Sequence, residues 1–217
     1  MNKIKICAVI TQPDSEAVKK AAADADLFEL RIDLVGKGWE QLASSLRKPW
    51  IAANRRASDG GKWRGSEQER TAQLLHAADL GSDIVDIELD APGLKEFMPQ
   101  LKGRARCIIS HHDWKGTPPA DKLAEIIRRQ IAAGADICKV VTNAAGLQDN
   151  LTVLSLLPMF PAARIVAFAM GAEGVISRIL SPLAGAYFTY ASIPGLSGSA
   201  PGQVTIEALR NIYGLIA

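Results

Sequence analysis

The chain has 217 residues, of which 48% are hydrophobic and 22% charged, as expected for one globular domain with a sizeable core. Its net charge of +2, without a lysine- or arginine-rich block, argues against nucleic acid or a membrane surface as a partner. Three cysteines, an odd number in apolar runs, favour reduced thiols in a cytoplasmic protein. No segment has the length of a signal peptide's apolar core or of a membrane span.

Eight short apolar runs predict β-strands along the chain. They cover residues 4–10, 27–32, 50–54, 83–89, 105–110, 136–142, 164–169 and 186–191. Amphipathic stretches between them predict helices, most clearly at 14–25, 66–80, 119–133 and 203–215. Because there is no long linker, low-complexity tract or break in composition, residues 1–217 are expected to form a single domain.

Strands that alternate with helices predict a parallel sheet covered by helices, and eight is the number that closes a (β/α)8 TIM barrel. The alternative is an open doubly wound sheet, which usually carries a glycine-rich dinucleotide turn after its first strand. Thr11-Gln12-Pro13-Asp14 occupies that place here, so the sequence favours the barrel. In such barrels the active site lies at the C-terminal ends of the strands.

Lys139 lies inside an apolar predicted strand, between Cys138 and Val140. Burying an ammonium group is costly, and a buried lysine that loses its proton becomes a nucleophile for carbonyl carbon. The alternatives are an edge strand with Lys139 facing solvent, or a structural ion pair. Polar residues near the ends of the other predicted strands favour a reactive lysine.

Charged residues at these strand ends are candidates for binding an anionic substrate. Glu29 and Arg31 lie two positions apart on one strand and therefore point to the same face, either toward a ligand or as an inward ion pair. Arg55 and Arg178 are the best candidates for binding a carboxylate, because guanidinium binds it through two parallel hydrogen bonds. Alternatively, Arg178 is an ordinary solvated residue of a short predicted helix, 174–180.

His111 and His112 directly follow the fifth predicted strand, at its C-terminal end. Adjacent residues of an extended chain point to opposite sides, so these two side chains cannot easily share one ion, and no metal site is expected. A histidine at the mouth of a barrel, beside a buried lysine, is suited to general acid–base catalysis. The alternative is a histidine that caps or packs a loop, which fits His111 better than His112.

A glycine- and serine-rich segment, 195–199, follows the eighth predicted strand. Barrels often bind phosphate in this loop, through backbone amides and a helix N-terminus. The residues alone do not distinguish a phosphate from a carboxylate or a hydroxyl ligand there.

Taken in order, these motifs resemble those of type I 3-dehydroquinate dehydratase, a Schiff-base enzyme of the shikimate pathway, and the similarity covers nearly the whole chain. The motifs are Glu29-Leu30-Arg31, Arg55 with Asp59-Gly60-Gly61, Ser110-His111-His112-Asp113, Ile137-Cys138-Lys139, Met170-Gly171, Gly174-Val175-Ile176-Ser177-Arg178 and Ser199-Ala200-Pro201-Gly202-Gln203. The resemblance implies a barrel that dehydrates 3-dehydroquinate to 3-dehydroshikimate, uses no cofactor and forms a homodimer.

The resemblance also implies a role for each residue. Lys139 forms the imine with the ring ketone, and His112 moves protons during imine formation, abstraction at C2 and departure of the C1 hydroxyl. Asp59, where the family often has glutamate, is the third expected catalytic residue. The expected substrate-binding residues are Glu29, Arg31, Arg55, Arg178, Ser199, Gln203, Met170 and Tyr190, with Phe168 packing beside them.

Two other functions remain open at this point. One is a different Schiff-base barrel, an aldolase or transaldolase that acts on a sugar phosphate. The other is a catalytically silent barrel that binds a metabolite or a partner. Arginines placed for a carboxylate, together with the motif from Ser199 to Gln203, favour the dehydratase, and the presence of both Lys139 and His112 favours an enzyme.

Overall fold

Eight parallel strands lie in the order β7-β6-β5-β4-β3-β2-β1-β8 in the computed structural model, which describes residues 4–216. The strands are β1 (Ile6–Ile10), β2 (Leu27–Arg31), β3 (Trp50–Ala53), β4 (Ile84–Glu88), β5 (Arg106–His112), β6 (Ile137–Asn143), β7 (Ile165–Met170) and β8 (Thr189–Ser192). The backbone N–H of Tyr187 donates to the carbonyl of Ile165 over 2.8 Å, which brings the approach to β8 against β7. The predicted (β/α)8 barrel is confirmed.

Nine helices within the described residues cover the outside of the barrel. They are α1 (Ser15–Ala21), α2 (Ile32–Val35), α3 (Trp39–Ser45), α4 (Glu67–Asp79), α5 (Leu94–Leu101), α6 (Ala120–Ala132), α7 (Leu147–Met159), α8 (Val175–Leu180) and α9 (Ile206–Ile216). Short 3-10 turns precede α4 and α8, at Ala57–Asp59 and Ala172–Gly174. Between residues 4 and 216, every helix is too short or too polar to cross a lipid bilayer.

The predicted elements agree with the structure in number and order, but their ends differ. The four clearest predicted helices correspond to α1, α4, α6 and α9, with ends that differ by one to four residues. Strand β5 extends two residues beyond the predicted end, so His111 and His112 belong to the strand and not to the loop. Residues 1–3 and 217, part of the predicted domain, lie outside the described residues.

Alternation along the strands separates two layers of buried side chains. One layer fills the inside of the barrel and includes Ile137, Val141, Phe168 and Tyr190. The other layer consists of the buried side chains that pack between the outer face of the sheet and the helices. Because Lys139 lies two residues from both Ile137 and Val141, the two-residue period of the strand points it into the barrel as well.

Three aspartates link neighbouring strands to each other at the N-terminal ends of the strands. Each stands one residue before an even-numbered strand and binds a residue at the start of the preceding odd-numbered strand. The carboxylate accepts that residue's N–H over 2.8 to 3.0 Å, and the aspartate's own N–H donates to the same residue's carbonyl. We call these the aspartate clamps; the pairs are Asp26 with Ile6, Asp83 with Trp50 and Asp136 with Cys107.

Candidate active site

One pocket at the C-terminal ends of the strands is lined by all of the predicted catalytic and substrate-binding residues. These are Glu29, Arg31, Arg55, Asp59, His112, Lys139, Met170, Arg178, Tyr190, Ser199 and Gln203, with Phe168 among them. The pocket also contains Trp114, which was not predicted. Its position is the one that the barrel architecture favours for an active site.

Lys139 lies in the middle of β6, which pairs with β5 on one side and β7 on the other. Only 4% of the residue is exposed, so the alternative of a solvent-facing edge lysine is wrong. Its Nζ lies 2.9 Å from Oδ2 of Asp86 and 3.4 Å from Oε1 of Glu29, and 4.4 Å from the centre of the Tyr190 ring. The amine is therefore ion-paired, and Lys139 and Glu29 both line the pocket.

His112 ends β5, and its ring stacks on Trp114 with 6.3 Å between ring centroids. Burial lowers the pKa of His112 well below its ordinary range, the charges of Arg55 and Lys139 add to this effect, and Asp86 opposes it. The imidazole is therefore neutral near pH 7 and able to accept a proton. Its Nδ1 is buried with no hydrogen-bond partner, which leaves that atom free for a ligand or a water.

Trp114 connects two of the loops around the pocket mouth. A Cβ added at Gly60 would lie 2.1 Å from the Trp114 ring, so the indole packs directly on the backbone of the loop after β3. Gly60 also has a φ of +77°, a conformation that other residues adopt at a cost. The sequence signal for this contact is the glycine pair of that loop, which alone does not reveal the partner.

The arginines near Lys139 differ in how fully their donors are used. Arg31 binds Asp33 through two hydrogen bonds of 2.9 and 2.7 Å, so the alternative of an inward pair between Glu29 and Arg31 is wrong. Arg55 donates to Asp86 over 2.8 Å, and also to Glu88 and Ser110. Arg55 therefore orders the acidic groups beneath the pocket, and little of its donor capacity remains for a ligand.

Arg178, by contrast, is a buried cation without an acidic partner. The residue is 1% exposed, so the alternative of an ordinary solvated arginine is wrong. Its Nε has no hydrogen-bond partner, one terminal nitrogen donates over 3.4 Å to the carbonyl of Pro201, and its guanidinium lies 4.4 Å from the centre of the Phe168 ring. Burial lowers the pKa of Arg178 to about 10. An unpaired buried guanidinium is a ready site for a carboxylate.

The segment from Ser199 to Gln203 covers one side of the pocket. The carbonyl of Pro201 accepts hydrogen bonds from Arg178 and from the backbone N–H of Gly171. Oε1 of Gln203 accepts from the backbone N–H of Ser199, so that amide is not available for the phosphate considered from the sequence. About 50 Å³ of space remains in the pocket, room for a few waters, so a larger ligand requires this segment or its neighbours to move.

Asp59 lies in the 3-10 turn after β3 and lines the pocket, but its carboxylate binds two residues of that same turn region. It accepts from Arg56 over 2.7 Å and from the hydroxyl of Ser58 over 2.7 Å. Burial alone would raise the pKa of Asp59, but these hydrogen bonds outweigh it and lower the pKa. Asp59 is therefore ionised, with most of its acceptor capacity used by Arg56 and Ser58.

Elsewhere, a wider open groove of about 1510 Å³ lies on the outside of the barrel between α5 and α6. It contains none of the predicted site residues, and its size alone does not make it a reactive centre. Among residues 4–216, no three histidine, cysteine or acidic side chains are grouped to hold a metal ion. Within the described residues, the predicted catalytic side chains lie together in the pocket that contains Lys139.

Comparison with known proteins gives concordant results. A family model described as Type I 3-dehydroquinase matches residues 6–217. The 3-dehydroquinate dehydratase of Dehalococcoides mccartyi strain BAV1 is 44% identical over 209 residues, covering 96% of this chain and 94% of that protein. The enzyme of that name from Methanosarcina mazei is 35% identical over 231 residues, covering 99% of this chain and 95% of its own.

Two solved structures extend this similarity to the fold. The 3-dehydroquinate dehydratase of Geobacillus kaustophilus superposes with a TM-score of 0.88 at 25% identity, covering 99% of this chain and 91% of that one. The type I enzyme of Clostridium difficile gives a TM-score of 0.87 at 24% identity, covering 100% of this chain and 93% of its own. The second likeness supports the barrel fold alone.

Proposed function

The chain belongs to the type I 3-dehydroquinase family, and on that premise we propose that it dehydrates 3-dehydroquinate through an imine on Lys139. The product is 3-dehydroshikimate, an intermediate of the shikimate pathway. The observation that carries the proposal is the pocket itself, where a buried amine, a neutral imidazole and an unpaired guanidinium lie together. No cofactor is needed, because amine and imidazole supply the chemistry.

The reaction begins when the Lys139 ammonium passes a proton to His112 and the neutral amine attacks the ring ketone. The carbinolamine regains that proton from His112 as its hydroxyl leaves as water, which gives an iminium. The iminium acidifies the adjacent C2–H, and His112 accepts that proton to form an enamine. The enamine expels the C1 hydroxyl, which leaves as water after His112 returns the proton. Hydrolysis of the resulting iminium frees Lys139 and the product, so the net change is the loss of one water.

Substrate binding follows from the charge distribution in the pocket. Arg178 binds the carboxylate, because it is the buried arginine whose donors are least used. Ser199 and Gln203 close over the ring hydroxyls when their segment moves in. Met170, Tyr190 and Phe168 form the wall against which the ring packs.

The remaining predicted residues act around this centre. Glu29 faces the amine over 3.4 Å, and Arg31 lines the mouth while bound to Asp33. Arg55 orders the acidic groups below. Asp59 completes the charged rim next to Arg56 and is placed to influence His112 only through space.

Trapping of the imine tests the proposal directly. The protein is mixed with 3-dehydroquinate and borohydride, then digested for peptide mass spectrometry. We expect one reduced adduct, on Lys139, and none in Lys139→Met, which keeps the size of the side chain but lacks the amine. A folded protein that gives no adduct, or that gives one on another lysine, contradicts the proposal.

His112→Ala separates the two chemical steps. General acid–base catalysis contributes about 10²–10⁴ in rate, so turnover should fall by that factor while the imine is still trapped. Full turnover in this variant contradicts the assigned role of His112. A sugar phosphate offered under the same trapping conditions tests the aldolase alternative, and we expect no adduct from it.

We also propose that the protein is a homodimer that associates through α7 and α8, which pack against each other. Each exposes two apolar side chains four residues apart: Leu147 and Leu151 on α7, Ile176 and Leu180 on α8. Such surfaces are typical of protein interfaces. Light scattering should show a dimer that Leu151→Glu converts to a monomer, whereas Met159→Glu, at the far end of α7, leaves it intact. A dimer that survives Leu151→Glu contradicts this surface.

The proposed location is the cytoplasm, where the shikimate pathway enzyme would meet a reducing environment. The support comes from the three cysteines, all of which are free and buried. Proteins of oxidising compartments tend to use their cysteines in disulfides. Fractionation of the cells that make this protein, followed by immunodetection, tests the location.

A further inference from the structure

Lys139 has a closer anionic neighbour than any residue of the recognised motifs. Asp86 lies on β4, and its Oδ2 is 2.9 Å from the lysine Nζ. The side chain of Asp86 has no solvent exposure. Glu29, the other carboxylate near the amine, is farther away at 3.4 Å. Asp86 is therefore the principal charge that faces the reacting nitrogen.

Two donors bind the other oxygen of Asp86, one from the residues that follow β3 and one from β5. Oδ1 accepts from a terminal nitrogen of Arg55 over 2.8 Å and from the hydroxyl of Ser110 over 2.7 Å. The carboxylate thus points one oxygen at its supports and the other at Lys139. Because Arg55 is itself anchored to Glu88 over 2.6 Å, the carboxylate has little freedom to turn.

We propose that Asp86 is the resident counterion of Lys139: it orients the amine before attack and then faces the iminium as its paired anion. This inference rests on the proposed function. The iminium withdraws electrons from C2 only while its nitrogen stays cationic, and a cation in a buried site needs an anion beside it. Asp86 occupies that place before the substrate arrives, so no rearrangement is required when the charge moves from ammonium to iminium.

The carboxylate stays ionised throughout the reaction. Burial alone would raise the pKa of Asp86, but the positive charges of Arg55 and Lys139, with the donated hydrogen bond, outweigh burial and hold the pKa well below its usual range. Asp86 is thereby excluded as a proton donor. That task remains with His112, whose ring is neutral at the same pH.

Asp86→Asn tests the counterion, and Glu88→Gln is the matched control. Both changes remove a buried carboxylate of β4 that binds Arg55, but only Asp86 contacts Lys139. Imine trapping with 3-dehydroquinate and borohydride is measured from pH 5 to 10, together with kcat and KM. An opposite charge at this distance favours the charged form by about one to three pH units. We therefore expect the trapping midpoint in Asp86→Asn to move to lower pH by about one unit or more, with kcat at least tenfold lower.

The control Glu88→Gln should keep the wild-type pH midpoint of imine trapping, even if its turnover declines. An Asp86→Asn protein with the wild-type midpoint, and a kcat loss no greater than that of Glu88→Gln, overturns the proposal and leaves Asp86 a purely structural residue. If Asp86→Asn does not fold, Ser110→Ala removes one support of Oδ1 and should lower kcat several-fold at unchanged KM; a wild-type kcat overturns the orienting role. Absence of any adduct in the wild-type protein would instead refute the function on which the inference rests.

Discussion

Replacement of Arg178 by methionine isolates the cost of keeping an unpaired guanidinium inside the pocket. Burial lowers the pKa of Arg178 to about 10, more than two pH units below the ordinary arginine value. At roughly 1.4 kcal/mol per unit, this lowering corresponds to a cost of about 3 kcal/mol. Since the group is charged in both the folded and unfolded chain at neutral pH, and the folded state disfavours that charge, the full cost is present there. The cost begins to shrink as pH rises above about 10 and disappears only above the ordinary arginine pKa.

The substitution also removes favourable contacts, so the net gain is smaller. The guanidinium loses its contact with the Phe168 ring and its hydrogen bond to Pro201, together worth about 1 to 2 kcal/mol. Methionine fills much of the vacated volume because its side chain adapts to irregular spaces. We expect Arg178→Met to raise the free energy of unfolding by about 1 to 2 kcal/mol while raising KM for 3-dehydroquinate by at least a hundredfold.

Urea unfolding without ligand, followed by circular dichroism, measures the first quantity, and steady-state kinetics measure the second. Arg128→Met is the control, because that side chain is 56% exposed and its removal should change stability by less than about 0.5 kcal/mol. An Arg178→Met protein that is less stable than wild type and keeps the wild-type KM would refute the reasoning. Arg178 would then serve the fold and not the ligand.

Three further predictions concern the surroundings of the site. Because burial keeps His112 neutral in the folded state, the unfolded chain binds more protons than the folded protein just below pH 6.5. As pH falls through this range, the free energy of unfolding should decrease by up to about 1.4 kcal/mol per pH unit. In urea titrations, His112→Gln should make this pH dependence less steep. Gly60→Ala should displace Trp114, alter its fluorescence and lower kcat while the imine on Lys139 is still trapped; Gly116→Ala, where a Cβ meets nothing, is the control, and an unchanged kcat in Gly60→Ala would count against the contact. The thiols of Cys7, Cys107 and Cys138 should resist an aromatic disulfide reagent until the protein unfolds, because burial raises their pKa values. Rapid labelling of the native protein would contradict this prediction.

Much of the fold could be predicted because the strands of a parallel barrel are buried on both faces and therefore appear as apolar runs. The helices were harder to assign. Helix α5 has only eight residues and contains Pro99, so its pattern is short and includes a residue that usually ends helices. Helix α7 contains Pro158 and exposes Leu147 and Leu151, so it shows no clean amphipathic period. The start of β8 was placed three residues early, because Ala186, Tyr187 and Phe188 are as apolar as the strand itself.

The site was predictable where residue type alone signals chemistry. Lys139 and His112 are unusual in apolar strands, and both lie in the pocket. Asp86 gave a weaker signal: it alternates with Glu88 in β4, so both point inward, but the alternation does not reveal that one faces an amine and the other two arginines. Which donors each group uses depends on contacts between distant strands.

The aspartate clamps divide the barrel into modules of two strands each, β1 with β2, β3 with β4 and β5 with β6. New chain ends placed between α3 and β3, or between α5 and β5, leave every clamp inside one continuous segment, whereas a cut between β1 and β2 separates Ile6 from Asp26. The fourth module is fastened differently: Tyr187 keeps the backbone bond to Ile165, but its phenol oxygen accepts from Arg106 of the third module. Circular permutants whose new ends lie between α3 and β3, or between α5 and β5, are therefore the ones expected to fold.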